Sequence, residues 1–259
     1  MTSEDPIAPN DEHDNRSSTP LLNRRIMGWA VHFYTSLGLP INLFSLWALT
    51  QGDGRLFFCL NLLAVLVDAT DGFMARKLNL KSLIPHFDGA KLDDLIDYLT
   101  FTFLPIASLY YLKLVPSSYT WLLCVALMSS AYGFCQTHAK TEDAFVGFPS
   151  YWNLVAYYFF LMQPPMWLII VITLLFSVMT FMPIHFIYPT RTKMWMKTTL
   201  IGSLFYVLLL IYSVFGEAEY RVLAGSLSLI YVVYYWIASI IHHVRIHKRV
   251  VGQTHDGST

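Results

Sequence analysis

The sequence is short of charge. Only 13% of its 259 residues are Asp, Glu, Lys or Arg, about half the share found in soluble domains. Such a chain cannot clothe a large water-facing surface. Its formal net charge is zero, so nucleic acid is not an expected partner. Cysteine is also scarce. Cys59, Cys124 and Cys135 are odd in number and all lie in apolar stretches, which excludes a disulfide framework or a cysteine-based zinc site. No apolar run begins near Met1, so no secretory signal peptide is expected. The first 20 or so residues are rich in Ser, Pro, Asp and Asn and read as a disordered tail.

Apolar residues take up the difference. The chain is 55% hydrophobic and 16% aromatic, with a mean hydropathy of +0.48. A bilayer-crossing helix needs about 20 mostly apolar residues. Eight runs qualify as candidates, over about 27–50, 55–75, 94–115, 118–136, 148–163, 165–187, 197–215 and 222–243. The fifth and sixth are parted only by Gln163-Pro164-Pro165, which reads as a tight turn or a kink. The expected fold is therefore all-α: a polytopic membrane bundle of about eight transmembrane helices over residues 26–244. It is flanked by a disordered cytoplasmic tail (1–25), whose basic end reads equally as a short interfacial helix or a plain flank, and by a basic, polar cytoplasmic tail (245–259). With both termini inside, 14 of the 17 Lys and Arg residues fall on the cytoplasmic side and three (Arg55, Lys113, Arg221) outside, a strong positive-inside bias.

Two short stretches carry the chemistry. The first is Asp68-Ala-Thr-Asp71-Gly72-Phe-Met-Ala75-Arg76; the second, after twelve residues, is Gly89-Ala-Lys-Leu-Asp93-Asp94-Leu-Ile-Asp97. On helices, Asp68, Asp71, Gly72 and Ala75 share one face, as do Gly89, Asp93 and Asp97. Two helices thus each aim two carboxylates in one direction. Carboxylates at membrane depth are costly unless paired or bound to metal. Hard divalent cations such as Mg²⁺ and Mn²⁺ take oxygen ligands, and a two-metal site suits in-line phosphoryl displacement. Gly72, Ala75 and Gly89 leave room for close helix approach or for a flat nucleotide. Arg76 is placed to hold a phosphate.

These residues resemble the signature of the CDP-alcohol phosphatidyltransferases, D-x2-D-G-x2-A-R-x8-G-x3-D-x3-D, with every fixed letter present and a gap of twelve residues instead of eight. The longer gap is similar to that of the bacterial phosphatidylcholine synthases within that family. The resemblance implies Asp68, Asp71 and Asp93 as metal ligands. It implies Asp97 as a contact of the second metal and as general base, so that Asp93 and Asp97 are the catalytic pair. It implies Asp68, Gly72, Ala75 and Arg76 as the CDP site. Two Mn²⁺ (or Mg²⁺) ions would be the cofactors. The reaction would join CDP-diacylglycerol and choline to give phosphatidylcholine and CMP, in a bacterial inner membrane, among membrane lipids, with the active site facing the cytoplasm. A homodimer is expected by the same analogy.

Choline offers no N–H group, so aromatic faces are its expected binders. Tyr98, Tyr151 and Trp152 are the candidates, set against ordinary packing and interfacial aromatic belts. Other acceptors (serine, inositol, glycerol phosphate) remain the alternative within the family. A cation-coupled transporter is the alternative outside it, disfavoured because the acids cluster at one membrane edge and no acidic relay crosses the remaining spans.

Overall fold

The computed structural model describes residues 18–137, 141, 144–188, 192 and 195–256. Every run expected to span the membrane is built around helix, and the protein is an all-α polytopic membrane protein. The helices are α1 (Ser18–Ser36), α2 (Gly38–Thr50), α3 (Gly54–Leu78), α4 (Leu80–Leu83), α5 (Gly89–Asp97), α6 (Leu104–Tyr111), α7 (Thr120–Cys135), α8 (Trp152–Met162), α9 (Met166–Met179), α10 (Met196–Phe215) and α11 (Ala218–Asp256). Among the described residues, four stretches are long and apolar enough to cross a bilayer unaided: Gly54–Leu78, Ser117–Cys135, Met196–Phe215 and Glu219–His247.

The expected first span is divided between α1 and α2. On α1, Leu22, Ile26, Trp29 and Phe33 are all exposed and fall at i, i+4, i+7 and i+11. They form an apolar stripe left largely open among the described residues, suited to the lipid interface. The opposite face of α1 packs on α3, α4 and α5.

The third expected span begins five residues early, at Gly89, and is not uniform. Between α5 and α6 the chain forms a π-helical segment, Tyr98–Phe103. In that register the Leu104 N–H bonds to the Leu99 carbonyl. The Thr100 carbonyl would then require the N–H of residue 105, which is proline and has none. The Asn61 amide of α3 fills the vacancy, donating to the Thr100 carbonyl at 2.7 Å. The Asn42 amide of α2 donates to the Thr100 hydroxyl at 2.8 Å. All three residues are buried, so this polar clamp ties α2, α3 and the π segment together just below Asp97. Asn61→Leu should leave a buried carbonyl unsatisfied and cost about 1–3 kcal/mol of stability. Thermal unfolding in detergent would register the loss, and an unchanged midpoint would refute the clamp's structural weight.

The fifth and sixth expected spans differ in their bounds as well. The fifth starts at Trp152 instead of 148, and the sixth ends at Met179 instead of 187. Pro183 explains the second difference, because the residue before a proline avoids helix. The freed chain forms two short strands, β1 (Ala144–Val146) and β2 (His185–Ile187), paired antiparallel with Phe145 opposite Phe186. This ribbon joins the entrance of α8 to the exit of α9. The two helices therefore form a hairpin that leaves and returns to the same side, turning at Gln163, which has φ 46°. At 11 and 14 residues both fall short of the roughly 20 that a full crossing needs.

Candidate active site

α3 carries the first half of the site. The Asp53 side chain caps its start by accepting from the Leu56 N–H at 2.9 Å, and left-handed Asn79 (φ 51°) ends it. Asp68 and Asp71 occupy its last turns, with Asp71 only 4% exposed. Thr35 of α1 hydrogen-bonds to the Asp71 side chain, and Tyr34 bonds to Thr70 at 2.8 Å. α1 thus braces the acidic end of α3 from outside.

The twelve residues that separate the two stretches are not a loose loop. Four of them make α4, whose Leu80 is buried, as is Ile84 just beyond it. Both approach α1 where Gly28 leaves space. Asp88 then caps α5, accepting from the Lys91 N–H at 3.1 Å. Gly89 is where the ring of His32 presses closest, and any Cβ there would collide with that ring. A glycine is required for this approach, and it sets how near α5 can come to α1 and hence to Asp68 and Asp71.

The outcome is a compact carboxylate cluster. Asp68, Asp71 and Asp93 form one group and Asp93, Asp94 and Asp97 a second, each with ligand oxygens within 4.8 Å of one another. Asp93 belongs to both. Like charges at that separation repel by about 3–4 kcal/mol per pair near a protein surface, a cost that a divalent cation removes. The donors are all carboxylate oxygens, the set that Mg²⁺ and Mn²⁺ prefer, and the two overlapping groups offer two such places. The guanidinium of Arg76 lies over Gly72, with Nη1 3.2 Å from where a Cβ would stand. Arg76 is exposed and so available to an incoming phosphate.

The model of one protein family, CDP-alcohol phosphatidyltransferase, matches residues 32–179 of the chain. That stretch covers more than half the sequence and takes in the end of α1, all four aspartates and the α8–α9 hairpin. The chain belongs to the CDP-alcohol phosphatidyltransferase family. Curated relatives agree. A phosphatidylcholine synthase of Borreliella burgdorferi is 35% identical over 83% of this chain and 94% of its own length. Enzymes of the same name from Legionella pneumophila (37%, covering 66% of this chain and 68% of the relative) and Bradyrhizobium diazoefficiens (30%, 89% and 86%) are also similar. This CDP-alcohol phosphatidyltransferase is thus a membrane-embedded transferase, with an acidic cluster fit for divalent metal.

The structure brings together Asp68, Asp71, Asp93 and Asp97, with Gly72, Ala75 and Arg76 on the same last turns of α3. It also adds Asp94 to the second group. The three aromatic candidates part company. Trp152 is wholly buried, its indole N–H donating to the Ser130 hydroxyl at 2.7 Å, and is committed to packing against α7. Tyr98 turns its ring edge-on to Phe134, at 5.5 Å, and reaches the Leu127 carbonyl at 3.4 Å; it also faces α7. Tyr151 lies within electrostatic reach of Asp68. The sequence reading missed Thr35 and His32 as supports of the site. Their only local signal was a polar pair three residues apart near the end of α1.

Proposed function

We propose that this enzyme is a phosphatidylcholine synthase, transferring the phosphatidyl group of CDP-diacylglycerol to the hydroxyl of choline and releasing CMP. The observation that carries the reading is the joined pair of carboxylate groups on two helices, in a chain similar to a phosphatidylcholine synthase over 94% of that relative's length.

The chain's own residues divide the work. Asp68, Asp71 and Asp93 hold one divalent ion, and Asp93, with Asp97 and Asp94 beside it, a second. Mn²⁺ or Mg²⁺ bound there supplies charge neutralisation at the diphosphate and at the departing CMP. Gly72 and Ala75 present a flat surface to the cytidine, and Arg76 clamps a phosphate oxygen. Asp97 accepts the proton of the choline hydroxyl as the new P–O bond forms and the P–O bond to CMP breaks. The α5 helix and the clamp beneath it fix that carboxylate, so that attack occurs within one pre-formed complex. The acyl chains stay in the bilayer. The Lys and Arg bias supports a cytoplasmic face for the cluster and a location in a bacterial inner membrane. We also expect two copies of the chain to associate as a homodimer.

The experiment is an acceptor panel. Purified protein with CDP-diacylglycerol and Mn²⁺ should release CMP when given choline, and not when given serine, inositol or glycerol 3-phosphate. Release with serine alone would replace this reading by a sister activity of the same site.

A further inference from the structure

With choline as the acceptor, one moiety is left without a seat, the trimethylammonium group. It carries a positive charge, has no N–H to donate, and is joined by two carbons to the hydroxyl that reacts. It must therefore rest close to Asp97, on surfaces that attract a soft cation without hydrogen bonding. Aromatic faces do this.

One aromatic cluster meets that requirement. On the helix that bears the base, Gly89, Asp93, Asp97 and Phe101 follow at four-residue steps, so Phe101 continues the acidic stripe into the π segment. Its ring lies 6.5 Å from that of Tyr151. Tyr151 arrives from the other side, on the loop between β1 and α8, and Asp68 is among the charges close enough to act on it. Phe145 stands 6.4 Å from Tyr151 at 80° to it, and Tyr235 stands 6.3 Å away at 62°. Phe145 is itself stacked on Tyr188 at 4.4 Å. The β1–β2 pairing supports this arrangement: it sets Phe145 opposite Phe186 in the middle of the other strand, and Tyr188 follows that strand's last residue. The Tyr235 hydroxyl donates to the Ile187 carbonyl at 3.0 Å, which pins that ring to the same ribbon. Two of these rings, Phe101 and Tyr151, border a cavity of about 190 Å³ that also takes in Asn61, Asn153 and Val65 among mainly apolar side chains, and Val65 is one turn of α3 from Asp68.

We propose that Tyr151, Phe101 and Phe145, backed by Tyr188 and Tyr235, seat the trimethylammonium group of choline beside the acidic cluster. The ribbon is then the part of the fold that selects the acceptor. The aspartates and Arg76 treat the CDP-lipid, whatever the acceptor is. The rings fix the position of the choline nitrogen and, through its two-carbon tether, that of the hydroxyl at Asp97. This assignment rests on the choline reading of the site.

The test is steady-state kinetics of the purified full-length enzyme in detergent with two acceptors, choline and its uncharged carbon isostere 3,3-dimethyl-1-butanol. The unaltered enzyme should favour choline by at least about tenfold. Tyr151→Leu should raise the KM for choline about ten- to thirtyfold, the range expected for losing a partly desolvated cation–π contact, and should abolish the preference over the isostere. The KM for CDP-diacylglycerol and the Mn²⁺ requirement should stay within about twofold of the unaltered enzyme. Tyr151→Phe, which keeps the ring face, should stay within about threefold for choline. Phe145→Leu and Phe101→Leu decide the matter if Tyr151→Leu fails to fold; each should raise the choline KM selectively. A normal choline KM in the folded Leu variants overturns the assignment alone, as does a parallel rise in both KM values. No choline turnover by the unaltered enzyme overturns the functional reading and the assignment with it.

Discussion

Asp97→Asn should lower choline transfer about 10²- to 10⁴-fold, the range a positioned general base contributes. The substitution keeps the side-chain shape, so the helix and the clamp beneath it should survive. Asn61 and Asn42 hold the π segment through Thr100, and neither contact involves Asp97. Binding of CDP-diacylglycerol should persist, because the nucleotide residues lie on α3. The loss should not be recovered by added Mn²⁺. That last point separates two roles. Asp97 shares the second carboxylate group with Asp93 and Asp94, and if saturating Mn²⁺ restored near-normal turnover, Asp97 would be a ligand and not the base.

Stripping the divalent metal should abolish turnover altogether, and Asp93→Asn should come nearest to that state by mutation. Asp93 is the carboxylate common to both groups, so its loss weakens both metal places at once. Metal ions supply several kcal/mol of charge stabilisation in such reactions, which corresponds to about three decades in rate. Asp71→Asn affects one group only and should raise the Mn²⁺ concentration needed for half-maximal activity, with a smaller fall in the maximal rate. CMP release measured against a Mn²⁺ titration reads all three forms. Full activity after exhaustive chelation would sink the metal assignment.

The acidic site was legible in the sequence because all its information is local. Asp68, Asp71, Asp93 and Asp97 lie within 30 residues, and helical spacing alone tells which side chains share a face. The eight helical runs were legible for the same reason. The ribbon was not. Its strands are three residues each and 40 positions apart, too short to show alternation, and only tertiary contact makes them strands. Pro183 did signal the early end of α9, but it stood in an apolar run whose hydropathy outweighed it. The π segment left one trace, a threonine five residues before Pro105, which becomes meaningful only once Asn61 is known to face it. Trp152 shows the opposite failing: the sequence put an aromatic residue near the site but could not show that Ser130 claims its indole N–H. The proposed choline seat was not legible in most of its members, because Phe101, Phe145, Tyr188 and Tyr235 come from four separate segments.

The central claim is that two divalent ions sit between the aspartates of α3 and α5, where the CDP-lipid is cleaved. Anomalous scattering from Mn²⁺ in crystals of the protein grown with CDP-diacylglycerol tests it most directly. The account predicts two peaks, one bounded by Asp68, Asp71 and Asp93, the other by Asp93 and Asp97, with the diphosphate between them and Arg76. Full CDP-diacylglycerol occupancy with no manganese peak at these carboxylates would contradict it.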